Sequence, residues 1–237
     1  MGELSTKACE HLDLDLLSPG GTAAFWTEAS KLLQRQSRNR LLDENQNLAG
    51  QIDKILVHTL ENIDGFNQKQ IAQTTLAMAK ITMNVENGGR KLPKGSPRQI
   101  LQAILIGNNL ETKQYIFSHI AAAAMPVLHK FDARSLSNFI YAYGLVRYVL
   151  EFDDGTTFFD TLAAVAIPNL SHFNSHDVSN MLWAYANTKT SNPHLFKEVG
   201  DVTIANDMLN SFSPQALSNT VWSYATSDES HQKLFKV

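Results

Sequence analysis

The chain has 237 residues, 43% of them hydrophobic and 18% charged, and its 20 basic and 23 acidic side chains leave a formal net charge of −3. This is the composition of a chain that can bury a continuous core, not of a disordered charged tail. A single cysteine, Cys9, excludes an intramolecular disulfide and a cysteine-based zinc site, and no run of about 18 apolar residues offers a membrane span.

In chain order, the opening MGELSTKACEHLDLDLLSPGG mixes acidic and apolar residues, unlike an Arg-rich transit peptide or a secretory leader. Met1, Gly2 and Thr6 match the bare myristoylation pattern, which is too short to weigh against chance. From Thr22 the segment TAAFWTEASKLLQRQ has the apolar spacing of an amphipathic helix, and LAGQIDKILVHTLENI at 48–63 predicts a second helix ending at Gly65. Arg35, Arg38 and Arg40 between them read as a solvated helix end. Residues 1–65 are expected to form a divergent N-terminal helical cap or unit.

From Phe66 the chain repeats itself. FNQKQIAQTTLAMA at 66–79 recurs as FDARSLSNFIYAYG at 131–144, FNSHDVSNMLWAYA at 173–186 and FSPQALSNTVWSYA at 212–225, at intervals of 65, 42 and 39 residues. A repeat of this length predicts an all-α fold, an α-solenoid of stacked helical hairpins with a period of about 40 residues. After each Phe comes Asn67, Asp132, Asn174 or Ser213, whose side-chain oxygen can accept from an orphan N–H at a helix start. Pro214 suits the first helical position, and each Phe stands opposite Ile71, Leu136, Val178 or Leu217 as a hydrophobic staple.

Two stripes run along each of these helices. Val178, Leu182 and Tyr185 form one, matched by Leu217, Val221 and Tyr224; Ser179, Trp183 and Ala186 form the other, matched by Ser218, Trp222 and Ala225. A helix with two apolar stripes is covered on two sides, so Trp183 and Trp222 are expected to be buried at equivalent inter-helix positions. Asn138, Asn180 and Asn219, with Gln73 in the same slot, do not vary enough to read different bases and are expected to form a structural amide ladder between stacked helices.

Partner helices follow each copy: 115–125, then 158–167 after the turn Asp154, Gly155 and Thr156, then a helix from His194 after Ser191, Asn192 and Pro193. The insertion at 86–95 is a basic, Gly-containing loop that lacks the Lys-Ser or Lys-Thr pair of a P-loop. Ser96, Pro97 and Ile100 repeat the cap, proline and staple pattern of 213–217. Two readings of 66–237 therefore stay open: five units opening near 66, 96, 131, 173 and 212, or four plus an inserted helix. Phe235, the counterpart of Phe196, is followed only by Lys236 and Val237. The last unit is thus expected to be truncated, as in a fragment or a chain that docks its last unit on another subunit.

No catalytic constellation emerges. The eight histidines show no HExxH or paired metal-ligand spacing, no GxSxG occurs, and Asp153 and Asp154 precede a helix where carboxylates cap. The chain is read as a non-enzyme with no cofactor, no metal and no small-molecule substrate. Its charge is uneven: 6 basic and 10 acidic side chains in 1–65, 8 and 2 in 66–130, and 6 and 11 in 131–237. A net acidic protein with one basic segment has a local footprint for a polyanion.

The phrase LSNxxWxYA, as Leu217, Ser218, Asn219, Trp222, Tyr224 and Ala225, with VSNMLWAYA and LSNFIYAYG beside it, resembles the helical repeats of organellar RNA-metabolism proteins. These are the FAST-kinase-like and RAP-domain proteins, the octotricopeptide-type repeat proteins, and the helical-repeat subunit of the mitochondrial RNA-editing substrate-binding complex. The resemblance covers 66–237, without the C-terminal RAP domain. It implies a non-catalytic α-solenoid that binds single-stranded RNA and RNA-processing proteins in a mitochondrion or plastid, in RNA processing, stability or editing. The alternative is a protein-interaction scaffold whose groove holds a peptide or partner helix. Candidate RNA contacts are Lys69, Arg134, His176 and Gln215, which vary from copy to copy at helix N-termini, and Arg90, Lys91, Lys94 and Arg98 in and after the basic loop.

Overall fold

The computed structural model describes residues 17–35, 45–82, 110–190 and 192–235. They are helical, with no strand among the described residues. The chain divides into two compact bodies, Met1–Ala123 and Ala124–Val237.

The first body holds α1 (Pro19–Arg35), α2 (Asn45–Asn62), α3 (Gln68–Thr82) and α4 (Leu110–Ala124). Helix α1 begins three residues before the expected Thr22, because Ser18 accepts from Gly21 N at 3.1 Å and Pro19 leads. This is the cap-and-proline grammar of Ser213 and Pro214. Helix α1 packs along α3, two helices on in the chain. Trp26, fully buried, donates from Nε1 to Thr59 Oγ1 at 2.9 Å, and the Thr59 hydroxyl donates in turn to the Ile55 carbonyl at 2.6 Å. A buried indole N–H without such a partner would cost roughly 1–3 kcal/mol.

The second body holds α5 (Ala133–Val146), α6 (Phe158–Ala166), α7 (Ser175–Thr188), α8 (Pro193–Ala205) and α9 (Pro214–Thr226). Short 3-10 turns at Met125–Lys130, Ile167–His172 and Met208–Ser211 each lead into an opening Phe. The caps stand where the sequence puts them. Asp132 accepts from Ser135 N at 2.7 Å, Asn174 from Asp177 N at 3.0 Å and Ser213 from Ala216 N at 3.2 Å; in the first body Asn67 accepts from Gln70 N at 3.0 Å. Each such cap contributes about 0.5–2 kcal/mol. Phe66, Phe131 and Phe173 are buried with their staple partners Ile71, Leu136 and Val178; Leu217 of the last copy is exposed.

Helix α7 lies between α5 and α9, and its two neighbours are held by matching bonds. Ser137 Oγ of α5 donates to the Asp177 carbonyl of α7 at 2.9 Å, and Ser179 Oγ of α7 donates to the Ala216 carbonyl of α9 at 3.1 Å. From each first helix back to the second helix before it, Tyr185 OH donates to the Phe159 carbonyl and Tyr224 OH to the Phe196 carbonyl, both at 2.7 Å. The same pairs meet edge to face, with ring centroids at 4.9 and 5.1 Å. Burial of these rings raises the Tyr185 and Tyr224 phenol pKa values.

Backbones approach most closely at Gly144. A Cβ there would lie 2.5 Å from Ala184 Cβ and 2.7 Å from Ala184 Cα, so only glycine lets α5 and α7 meet at this spacing. Asn187 of α7 then reaches back to donate to the Gly144 carbonyl at 3.0 Å.

Candidate nucleic-acid interface

A helix of 3.6 residues per turn gathers the positions three, seven, ten and fourteen after each opening Phe onto one face. In α5 these are Arg134, Asn138, Tyr141 and Leu145; in α7, His176, Asn180, Trp183 and Asn187; in α9, Gln215, Asn219, Trp222 and Thr226. Arg134, His176 and Gln215 are exposed and the three asparagines half-buried, whereas the residues five and twelve after the Phe in α5 and α7 are buried against the second helices. Apart from Leu145, which is buried, the face is therefore the side of α5, α7 and α9 turned away from the core. In the first body α3 offers Lys69, Gln73, Leu76 and Lys80 at the same positions, and partial burial holds the Lys80 ammonium below its usual pKa.

None of these positions is a carboxylate. The acidic groups of the second body stand elsewhere and are largely engaged. Asp160 closes the capping box of α6 with Thr157. On α8, Asp201 accepts from Lys197 at 2.8 Å and faces His231 Nε2 at 3.2 Å, and Glu198 meets Lys197 at 3.2 Å. The Lys197 hydrogen bond, chiefly, holds the Asp201 carboxyl below its usual range.

Two features of the face differ from the sequence reading. The hydrogen bonds that recur between first helices come from Ser137 and Ser179, the residues before Asn138 and Asn180, and Asn187 adds one to the Gly144 carbonyl. Asn180 turns instead to His176 on its own helix at 3.4 Å, and the Asn138 and Asn219 amides have no hydrogen-bond partner among the described residues. The indoles also diverge. Trp183 is half-buried, lying against Tyr141 at 5.2 Å between centroids and over the space that Gly144 leaves open. Trp222 is 42% exposed. Ala186 occupies in α7 the register that Gly144 occupies in α5, so the counterpart of the glycine under Trp183 carries a methyl.

The helix starts are less open to phosphate than their dipoles suggest. At α5 the Asp132 carboxylate caps the first turn, and at α7 Asp177, 4% exposed, closes a capping box with Asn174. Each supplies the negative charge that an anion would otherwise bring. His176 Nδ1 lies 3.9 Å from Asp177. Arg134, His176 and Gln215 thus share one face without sharing an empty anion site; Lys69 belongs to the first body, and Arg90, Lys91, Lys94 and Arg98 lie outside the described residues.

Sequence reasoning missed two cations at the other end. Arg147 and Lys189, both sixteen residues after an opening Phe, cap α5 and α7 in the left-handed region, with φ 49° and 59°. Both are exposed, and Arg147 Nη2 donates to Asn187 Oδ1 at 3.3 Å. The repeat register is the signal that would have found them. Cations there also complement the helix C-terminus.

Among the described residues no group of three His, Cys, Asp or Glu side chains could hold a metal ion, and no helix is long and apolar enough to cross a membrane. No protein-family model matches the sequence, and no curated protein matches it.

Proposed function

We propose that this chain is a non-catalytic helical-repeat protein, an α-solenoid of hairpins with a period near 40 residues, that binds single-stranded RNA on the outer face of its first helices. The observation that carries the reading is the composition of that face: amides, aromatic rings and the Arg134 guanidinium without a carboxylate, with Arg147 and Lys189 beyond its end at a register that holds Asp228 after α9. RNA binding of this kind needs positive charge near the backbone and π-faces near the bases. The recurring Ser-to-carbonyl and Tyr-to-carbonyl bonds support the solenoid part of the proposal. The likeness of LSNxxWxYA to organellar repeat proteins supports a role in mitochondrial or plastid RNA processing, with other RNA-processing proteins as partners. On the second body Arg134, Arg147 and Lys189 supply the phosphate contacts; Lys69 is a candidate of the first body taken by itself, and Arg90, Lys91, Lys94 and Arg98 are candidates outside the described residues.

A second reading has its own observation. Leu217 and Val221 are each 46% exposed on one side of α9, an apolar stripe of the kind that a partner helix covers in a protein scaffold.

Salt separates the two. The affinity of the full chain for a fluorescein-labelled 20-residue oligo(U) is measured by polarisation across a range of KCl concentrations. Phosphate contacts make log K fall with log salt by roughly 0.7 per contact on a single strand, and Arg134→Ala or Arg147→Ala should each flatten that slope by about one contact. A salt-independent affinity, or none, overturns the RNA reading in favour of the scaffold.

A further inference from the structure

Resting on the RNA reading, we infer that Tyr141, Trp183 and Trp222 form a platform on which successive RNA bases stack, and that Asn138, Asn180 and Asn219 meet the base edges beside it. The rings occupy one register position in three adjacent helices, on the face turned away from the core, and the last is the most open. Tyr141 and Trp183 are half-buried, and Trp222 is 42% exposed. An indole that open does little for the core of its own body, since the buried side chains of α9 are Ala216, Thr220, Ser223 and Tyr224.

The amides add a means of meeting base edges. Asn138 and Asn219 lie three residues before their rings on the same face, and hydrogen bonding between helices does not use them. A primary amide carries both donors and an acceptor, so it can pair with an edge of any base. One amide at every step gives contact without discrimination, and a ring at every step accepts any base because each base has a π-face. The ligand this describes is an unpaired strand of loosely constrained sequence. A duplex keeps its bases stacked on one another and offers no free faces to the row. The absence of carboxylates on the face lets the backbone of such a strand lie close to it.

The test uses the full chain and its own fluorescence. Trp26 is fully buried in the first body, so the emission that RNA can reach belongs to Trp183 and Trp222. Oligo(U) should quench tryptophan emission, and Trp222→Phe should remove a large part of that quenching. Trp222→Ala should weaken oligo(U) binding by roughly fivefold to a hundredfold, while Trp222→Phe, which keeps a ring, weakens it less. Circular dichroism and the melting temperature of both variants should match the parent, because the ring is exposed. A 20-base-pair RNA duplex should compete poorly with the single strand. If oligo(U) binds with the expected salt slope but Trp222→Ala binds equally well, or the duplex competes on equal terms, the platform is refuted and the RNA reading survives on its cations. If the parent binds no RNA at any salt, both fall.

Discussion

Substituting Gly144 by alanine tests the close approach on which the α5–α7 pair depends. The new Cβ would stand 2.5 Å from Ala184 Cβ and 2.7 Å from Ala184 Cα. The second of these is backbone and cannot rotate away, so the two helices must separate by several tenths of an ångström. That separation strains the Ser137-to-Asp177 bond, now 2.9 Å, and the Asn187-to-Gly144 bond, now 3.0 Å. Overpacking of this kind costs roughly 1–3 kcal/mol, here at the upper end. Against it stands the preference of a helix interior for alanine over glycine, about 1 kcal/mol. The net expectation is a loss of about 1–2 kcal/mol, read as a lowered urea midpoint in far-UV circular dichroism. Adding Ala184→Gly should recover part of the loss, since it removes the clash with the side chain and leaves the clash with the backbone. Ala186→Gly, one helix later, should cost only the propensity term, because that register already holds a methyl. If Gly144→Ala proves neutral or stabilising, the close-approach argument is wrong.

Two further outcomes follow from the same packing. Burial raises the phenol pKa of Tyr143, Tyr185 and Tyr224 above the ordinary value of about 10, so folding keeps them protonated where the unfolded chain would ionise. Their contribution is complete below about pH 10 and is lost as pH rises towards the folded values; urea midpoints should fall on that limb, and Tyr185→Phe should flatten it while costing about 1 kcal/mol at neutral pH. Lys189 holds φ 59° without being glycine, so Lys189→Gly should raise the thermal midpoint by the equivalent of roughly 0.5–1 kcal/mol, and no gain would mean that the lysine side chain contributes as much as the backbone costs.

The helices and their caps were legible because their causes are local. A cap residue, a proline and a staple lie within six residues of one another, and the hydrogen bonds of Asp132, Asn174 and Ser213 need nothing from elsewhere in the chain. Which polar residue bridges two helices was not legible. Ser179 and Asn180 are adjacent, recurrent and both able to hydrogen-bond, and they point about 100° apart on the helix. The direction of the neighbouring helix decides between them, and one helix's sequence does not contain it. The indoles show the same limit. Trp183 and Trp222 share a stripe, but Trp183 lies over Gly144 of the adjacent helix, and the same register of α7 holds Ala186.

The recurring Ser and Tyr bonds that join the helices of the second body share a property that bears on function: each accepts at a main-chain carbonyl. Ser137 and Ser179 reach the carbonyls of Asp177 and Ala216, and Tyr185 and Tyr224 reach those of Phe159 and Phe196. A carbonyl is present whatever side chain stands above it, so the accepting position is free to change, as Asp177 and Ala216 already show. The donor alone must be kept. Helix register is thereby held by Ser and Tyr on the inward and lateral faces, and of the outer positions Asn187 shares that load through the Gly144 carbonyl. Arg134, His176 and Gln215 can then differ from helix to helix while Tyr141, Trp183 and Trp222 stay in line. A scaffold held largely through main-chain carbonyls lets one face keep a constant row of amides and rings beside a row that differs from helix to helix, one turn away.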